Sequence, residues 1–261
     1  MPMRSFTVAP AIWRGAISLI VATVAWEIVA RYIVHNTLFL AGPVAVAQKA
    51  ADLWATGELQ KNIWTSFSEF VLGFSLSAVA GIGFGIVLAH SRKTRQYVDA
   101  WVSMLYATPL IALGPLFILW MGVGLPSKIA IIFLTAVFPI LINTVAGLTG
   151  TDPQLIEVAR SFGAAPMQVY EKIRFPAALP FIIAGLRLGV ARALVGIVVA
   201  EFFGARAGIG FMILSSAQTF DTASVFLGVI ILAVAGVLTV EFLKWLEVRL
   251  APWRASAEAT E

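Results

Sequence analysis

Apolar residues fall into six long blocks divided by short polar stretches, at approximately 11–33, 66–89, 100–123, 129–148, 177–203 and 223–246. A helix crossing a bilayer core of about 30 Å needs about 20 mostly apolar residues, and every block is long enough. The pattern predicts an all-α, polytopic membrane protein with six transmembrane helices. Blocks three and four are parted only by Gly124-Leu125-Pro126-Ser127-Lys128 and read as a helical hairpin. Two connections are long. Val34–Thr65 contains a run, Ala45–Trp54, that is apolar on one side and carries Gln48, Lys49 and Asp52 on the other, as in a short helix at the membrane surface. The second, roughly residues 150–176, is the least hydrophobic stretch outside the tails. The first block ends in Trp26-Glu27-Ile28 and Arg31-Tyr32 rather than a small-x-small cleavage site, so it is expected to stay as an anchor. No internal repeat stands out, which removes support for the inverted-repeat plan of many secondary transporters.

Within the blocks, Gly73, Ser77, Gly81, Gly85 and Ala89 recur every four positions, and Gly185, Gly189 and Ala193 repeat the spacing in the fifth block. Such stripes let a neighbouring helix backbone approach closely. Pro109, Pro115 and Pro139 interrupt the hairpin; each removes a backbone donor and invites a kink, which makes Pro109 and Pro115 candidates for a translocation path. Arg187 and Arg192 lie inside the fifth block. An intramembrane charge is costly and marks a functional site by default, so both arginines are candidates for the path; pairing within the bundle or snorkelling to the surface are the plainer alternatives. Glu201 is expected to tie the outer end of the fifth helix to the turn after it, and Glu69 to be solvated or capping.

Composition narrows the function. Of 261 residues, 60% are hydrophobic and 12% charged, with mean hydropathy +0.92; soluble domains carry about 25% charged residues. There is no cysteine and there are only two histidines, His35 and His90, so thiolate chemistry and a His-rich metal site are excluded and no metal or cofactor is expected. The net charge of +4 sits in short loops, a pattern that orients a membrane chain and does not point to nucleic acid. With the N-terminus inside, eleven Lys and Arg fall on the cytoplasmic side (Arg4, Arg14, Arg92, Lys93, Arg95, Arg160, Lys172, Arg174, Lys244, Arg249, Arg254) and five outside (Arg31, Lys49, Lys61, Lys128, Arg206). Both termini are therefore predicted to be cytoplasmic. No G-x4-G-K-[ST] segment is present, so the chain is not expected to bind ATP. No catalytic residues are expected; residues 1–261 read as one transmembrane domain, and any energy-converting machinery belongs to a partner.

The loop before the fifth block carries the most specific pattern. It reads Glu157-Val158-Ala159-Arg160-Ser161-Phe162-Gly163, then nine residues, then Ile173-Arg174-Phe175-Pro176. This resembles the cytoplasmic EAA signature of ABC-importer permeases, E-A-A-x3-G-x9-I-x-L-P, with every spacing kept and Val158 and Phe175 as apolar exchanges. Asp152-Pro153 is placed to cap and start a helix and Gly163 to end it. Thr108–Lys128 and Ala184–Ile213 are similar to the corresponding stretches of the nitrate/sulfonate/taurine-type branch. The resemblance implies a type I importer permease of the bacterial inner membrane, whose coupling helix docks on a separate ATPase through Glu157, Ala159, Gly163, Ile173 and Pro176. It also implies two permease copies in a homodimer, two ATPase subunits and an extracytoplasmic solute-binding protein. A carrier driven by an ion gradient is the alternative.

Overall fold

The computed structural model describes residues 8–251, and every regular element among them is helical. In chain order these are α1 (Val8–Ile28) running into a π-helical turn (Val29–Val34), α2 (Pro43–Ala55), α3 (Glu58–His90), α4 (Arg92–Ala107), a 3₁₀ turn (Leu110–Leu113), α5 (Gly114–Met121), α6 (Leu125–Thr149), α7 (Pro153–Ser161), α8 (Pro166–Val169), a π-helical turn (Tyr170–Arg174), α9 (Phe175–Gly204), α10 (Ile209–Gln218) and α11 (Thr222–Leu250). Arg4 and Arg254 of the charge count lie outside the described residues. Among the described residues two compact units form: one from 8–61 with Met212–Ile230, the other from Asn62–Phe211 with 231–251.

Among the described residues, five stretches are long and apolar enough to cross a bilayer: 13–34, 58–90, 125–149, 166–204 and 222–250. The third expected span, over 100–123, is not among them, because the interruption expected at Pro109 is a full break. α4 stops at Ala107, Thr108 is extended (φ −67°, ψ 135°), and the chain resumes as the 3₁₀ turn and α5. Pro109 is the cause: it disfavours helical backbone at the residue before it and has no N–H to donate. Pro115 does not kink a helix; it sits in the first turn of α5, where a missing N–H costs nothing. Pro139 remains inside α6 without breaking it. Two boundaries also move. α3 begins at Glu58 instead of near residue 66, and α6 begins at Leu125, with Pro126 in its first turn, so the hairpin turn is shorter than expected.

In the larger unit α6 is the central helix. The small-residue stripe of α3 lies along it in four-residue register: a Cβ on Gly73, Gly81 or Gly85 would meet Ile132, Ile140 or Thr144 within 3 Å. Ser77 sits in the same row, and its hydroxyl donates to the carbonyls of Gly73 (2.7 Å) and Phe133 (3.2 Å). On the other side α9 runs antiparallel, with Gly185 against Asn143, Gly189 against Ile140 and Gly196 against Thr135. In lipid there is no apolar driving force between helices, so such close backbone approach supplies the packing energy. Ile132, Ala136, Ala193 and Ile197 are fully enclosed at the centre.

In the smaller unit, α2 forms as the amphipathic pattern predicts, with Pro43 in its first turn. Glu27 accepts from the Val44 N–H (3.2 Å) and pairs with Arg31 (3.6 Å). Trp26 packs on Phe226, with ring centroids 5.1 Å apart. Lys49 meets Asp221 at 2.8 Å. Burial alone would raise the Asp221 carboxyl, but the bonds from Lys49 and Ser224 outweigh it and hold the group below the usual carboxylate range.

Candidate functional site

Three groups of polar residues in the larger unit bear on function. The first is the loop between α6 and α9. Asp152 caps α7, its carboxylate accepting from the Gln154 N–H at 2.8 Å, and Pro153 occupies the first turn. Phe162 closes the helix, and Gly163 follows at φ +79°, a left-handed conformation that glycine adopts without penalty. The Ala164 N–H then donates back to the Ala159 carbonyl at 3.0 Å. Glu157 and Ala159 lie in the second half of α7, Ile173 in the π-helical turn and Pro176 in the first turn of α9. This short helix has no buried residue, and Leu155, Val158 and Met167 stand open to the outside together with Phe162, which is 88% exposed. A two-turn helix capped at its start by Asp152 thus leaves an apolar face uncovered, the kind of surface that marks interaction sites.

The second group is the pair of intramembrane arginines, which the structure separates. Arg187 forms an ion pair with Glu247 of α11 and is largely covered. Arg192, about a turn and a half further along α9, makes no ion pair among the described residues. Its guanidinium lies 6.0 Å from the centre of the Tyr106 ring. It lines a cavity of about 260 Å³ with Tyr106, Thr108, Pro109 and Thr135. The break that Pro109 imposes on the third crossing therefore forms one wall of the Arg192 cavity. Pro115 is not among that cavity's walls.

The third group lies toward the far end of α9. Glu201, 1% exposed, accepts from the Ser66 hydroxyl (2.6 Å), from the Gly210 N–H and from the Phe211 N–H (3.3 Å). Ser66 in turn accepts from the Ile209 N–H (2.7 Å), and Asn62 from the Gly208 N–H (2.9 Å). The expectation that Glu201 ties α9 to the following turn matches this arrangement. The expectation for Glu69 is corrected. It is 3% exposed, neither solvated nor capping, and bonds Lys128 at 2.6 Å. Because α3 starts at Glu58, Glu69 lies a third of the way along it, facing α6. Asn62, Ser66 and Glu69 recur at i, i+4 and i+7, a polar stripe on an apolar helix that sequence reading missed. The stripe was visible; its partner Lys128, 59 residues away, was not.

Comparison with known proteins adds to this geometry. Residues 81–252 match the family described as binding-protein-dependent transport system inner membrane component. The putative aliphatic sulfonates transport permease of Bacillus subtilis (strain 168) is 40% identical over 89% of this chain and 84% of its own length. The formylaminopyrimidine transport permease of Halalkalibacterium halodurans is 32% identical, over 88% of this chain and 92% of its own. The taurine transport permease of Escherichia coli (strain K12) is 30% identical, over 92% and 90%. Among solved structures, an inward-facing MetNI methionine ABC transporter shares the fold with TM-score 0.56 at 21% identity, over 72% of this chain and 97% of that one.

Proposed function

The chain belongs to the family of binding-protein-dependent transport system inner-membrane components, and on that premise we propose that it forms the path by which an ATP-driven importer takes up a small anionic solute of the sulfonate or taurine type. Membership makes it a multi-pass permease subunit and not an enzyme, and sets aside a carrier driven by an ion gradient. In our reading residues 1–261 act as one permease domain, both termini are cytoplasmic, and two copies assemble with two ATPase subunits beneath an extracytoplasmic solute-binding protein.

Coupling runs through α7 and the return into α9. Glu157 and Ala159 present the helix, Gly163 ends it, and Ile173 and Pro176 carry the motion of the docked ATPase into α9. The exposed row of Leu155, Val158 and Phe162 supports this role. The solute class rests on Arg192. It is a guanidinium in a span with no carboxylate partner among the described residues, beside two threonine hydroxyls and the broken helix at Pro109. An intramembrane cation without a counter-ion suits the transient passage of an anion. The relatives named for aliphatic sulfonates and for taurine favour a sulfonate. Arg187, neutralised by Glu247, plays a supporting part at most, and Pro115 shapes α5 instead of lining the path.

The test is uptake of labelled taurine and alkylsulfonates by vesicles carrying the assembled transporter with its binding protein. Glu157→Lys should abolish ATP-driven uptake while the chain still inserts; unchanged uptake would remove the coupling role. Arg192→Gln should impair sulfonate uptake more than Arg187→Gln does. The reverse order would move the path to Arg187.

A further inference from the structure

The end of α3, the start of α4, Arg160 of α7, α8 and the π-helical turn Tyr170–Arg174 enclose a groove of about 760 Å³ to which the transport reading assigns no ligand. One wall is apolar, from Ile86 and Val87 in the last turn and a half of α3. The other holds Arg160, Tyr170 and Arg174 beside the apolar Pro166, Met167 and Val169, and His90, four residues after Ile86, ends the α3 wall. No Asp or Glu lines it, and neither arginine makes an ion pair among the described residues. Tyr170 Oη and Arg174 Nε are shielded by the protein and have no hydrogen-bond partner. Buried polar atoms are almost always satisfied, so these two orphans mark a turn whose donors lack acceptors within the protein, on two residues that line the groove. Tyr170–Arg174 is also the π-helical turn, a distortion that recurs at functional sites.

We propose that this groove binds the phosphate headgroup of an anionic phospholipid. The guanidinium fork of Arg174 matches phosphate oxygens geometrically, and Tyr170 and Arg160 add a donor and a second charge. The apolar wall decides the source of the phosphate. A free phosphate ion gains nothing from Ile86 and Val87, whereas an acyl chain descending from its headgroup covers them. The position agrees, since the apolar run of α3 gives way to His90 and the basic start of α4 at this level, where hydrocarbon meets headgroups. The lipid would sit against the loop that carries Glu157 and brace it as α9 re-enters the membrane.

The experiment is native mass spectrometry of the assembled transporter released from nanodiscs of equal phosphatidylglycerol and phosphatidylcholine. The intact protein should retain phosphatidylglycerol preferentially. Arg174→Gln should reduce that preference about fivefold and the double variant R160Q/R174Q further, as expected for about one surface charge each. Arg174→Lys, which keeps the charge and loses the fork, should fall between. Arg249→Gln, whose guanidinium lies 4.7 Å over Trp245 and away from the groove, should behave as the parent protein. Equal retention of the two lipids would overturn the proposal. So would displacement by millimolar inorganic phosphate, which would make the ligand a soluble anion. Selective retention by the isolated permease that vanishes in the full complex would give the groove to the ATPase and overturn it as well.

Discussion

A carboxylate buried in a membrane helix is tolerable only if its lone pairs are used, and Glu201 uses them on the Ser66 hydroxyl and the N–H groups of Gly210 and Phe211. Those two N–H groups belong to the start of α10, where no earlier helical carbonyl is available to accept them. Glu201 therefore does for α10 what a capping residue does, from nine residues upstream. Gly208, at φ +128°, faces the same carboxylate so closely that a Cβ would collide with it, so glycine is required there for space as well as conformation. Glu201→Ala would orphan three donors, each costing about 1–3 kcal/mol. Allowing for water entering the gap, the thermal midpoint of the detergent-solubilised protein should fall by about 5–10 °C. Glu201→Gln, which keeps one acceptor oxygen, should fall less. A midpoint unchanged in Glu201→Ala would mean that the turn is held by something other than this carboxylate.

At the scale of elements, the glycines of α3 are not equivalent, and one pair of substitutions shows it. Gly85 faces Thr144, where an added Cβ would stand 2.6 Å from a side-chain carbon and 3.2 Å from the Leu141 carbonyl; Gly83, half a turn away, meets nothing within 4 Å. Gly85→Ala should destabilise the protein by about 1–3 kcal/mol through overpacking, and Gly83→Ala should be neutral or slightly stabilising. Equal effects in thermal unfolding would mean that α3 and α6 do not meet along this stripe. The four-residue spacing makes this contact legible in the sequence, because close helix approach demands small residues at one period. The α7 cap at Asp152 and the left-handed Gly163 are legible for the same kind of reason: local backbone chemistry restricts which residues fit. Hydropathy misplaces the start of α3, because it registers where a helix leaves lipid and not where the helix begins. The Glu69–Lys128 pair, the separate fates of Arg187 and Arg192, and the groove at Tyr170 depend on residues brought together from distant helices, which local patterns do not encode.

The directions of these helices settle how the chain must travel from α3 to α9. Gly73 meets Ile132 and Gly85 meets Thr144, so α3 and α6 run the same way, and α9 runs against them. Two parallel crossings in succession require the chain to return between them. Residues 91–124, though broken at Pro109, must therefore carry it back, as a discontinuous crossing beside the five continuous stretches found among the described residues. A broken crossing survives in lipid only where protein or a water-filled space covers its free backbone groups, and the Arg192 cavity lies at that break. The chain has no cysteine, so a single introduced one reports its own position without further engineering. Val123, between α5 and α6, and Phe162, at the end of α7, are 66% and 88% exposed, and the chain crosses once between them, through α6. A membrane-impermeant maleimide should label Val123→Cys in right-side-out vesicles and Phe162→Cys only in inverted ones. Labelling of both from one face would contradict a crossing by α6. Reversal of the two would keep the crossing but turn the molecule over, against the distribution of its lysines and arginines, and would place α7 where no cytoplasmic ATPase can reach it.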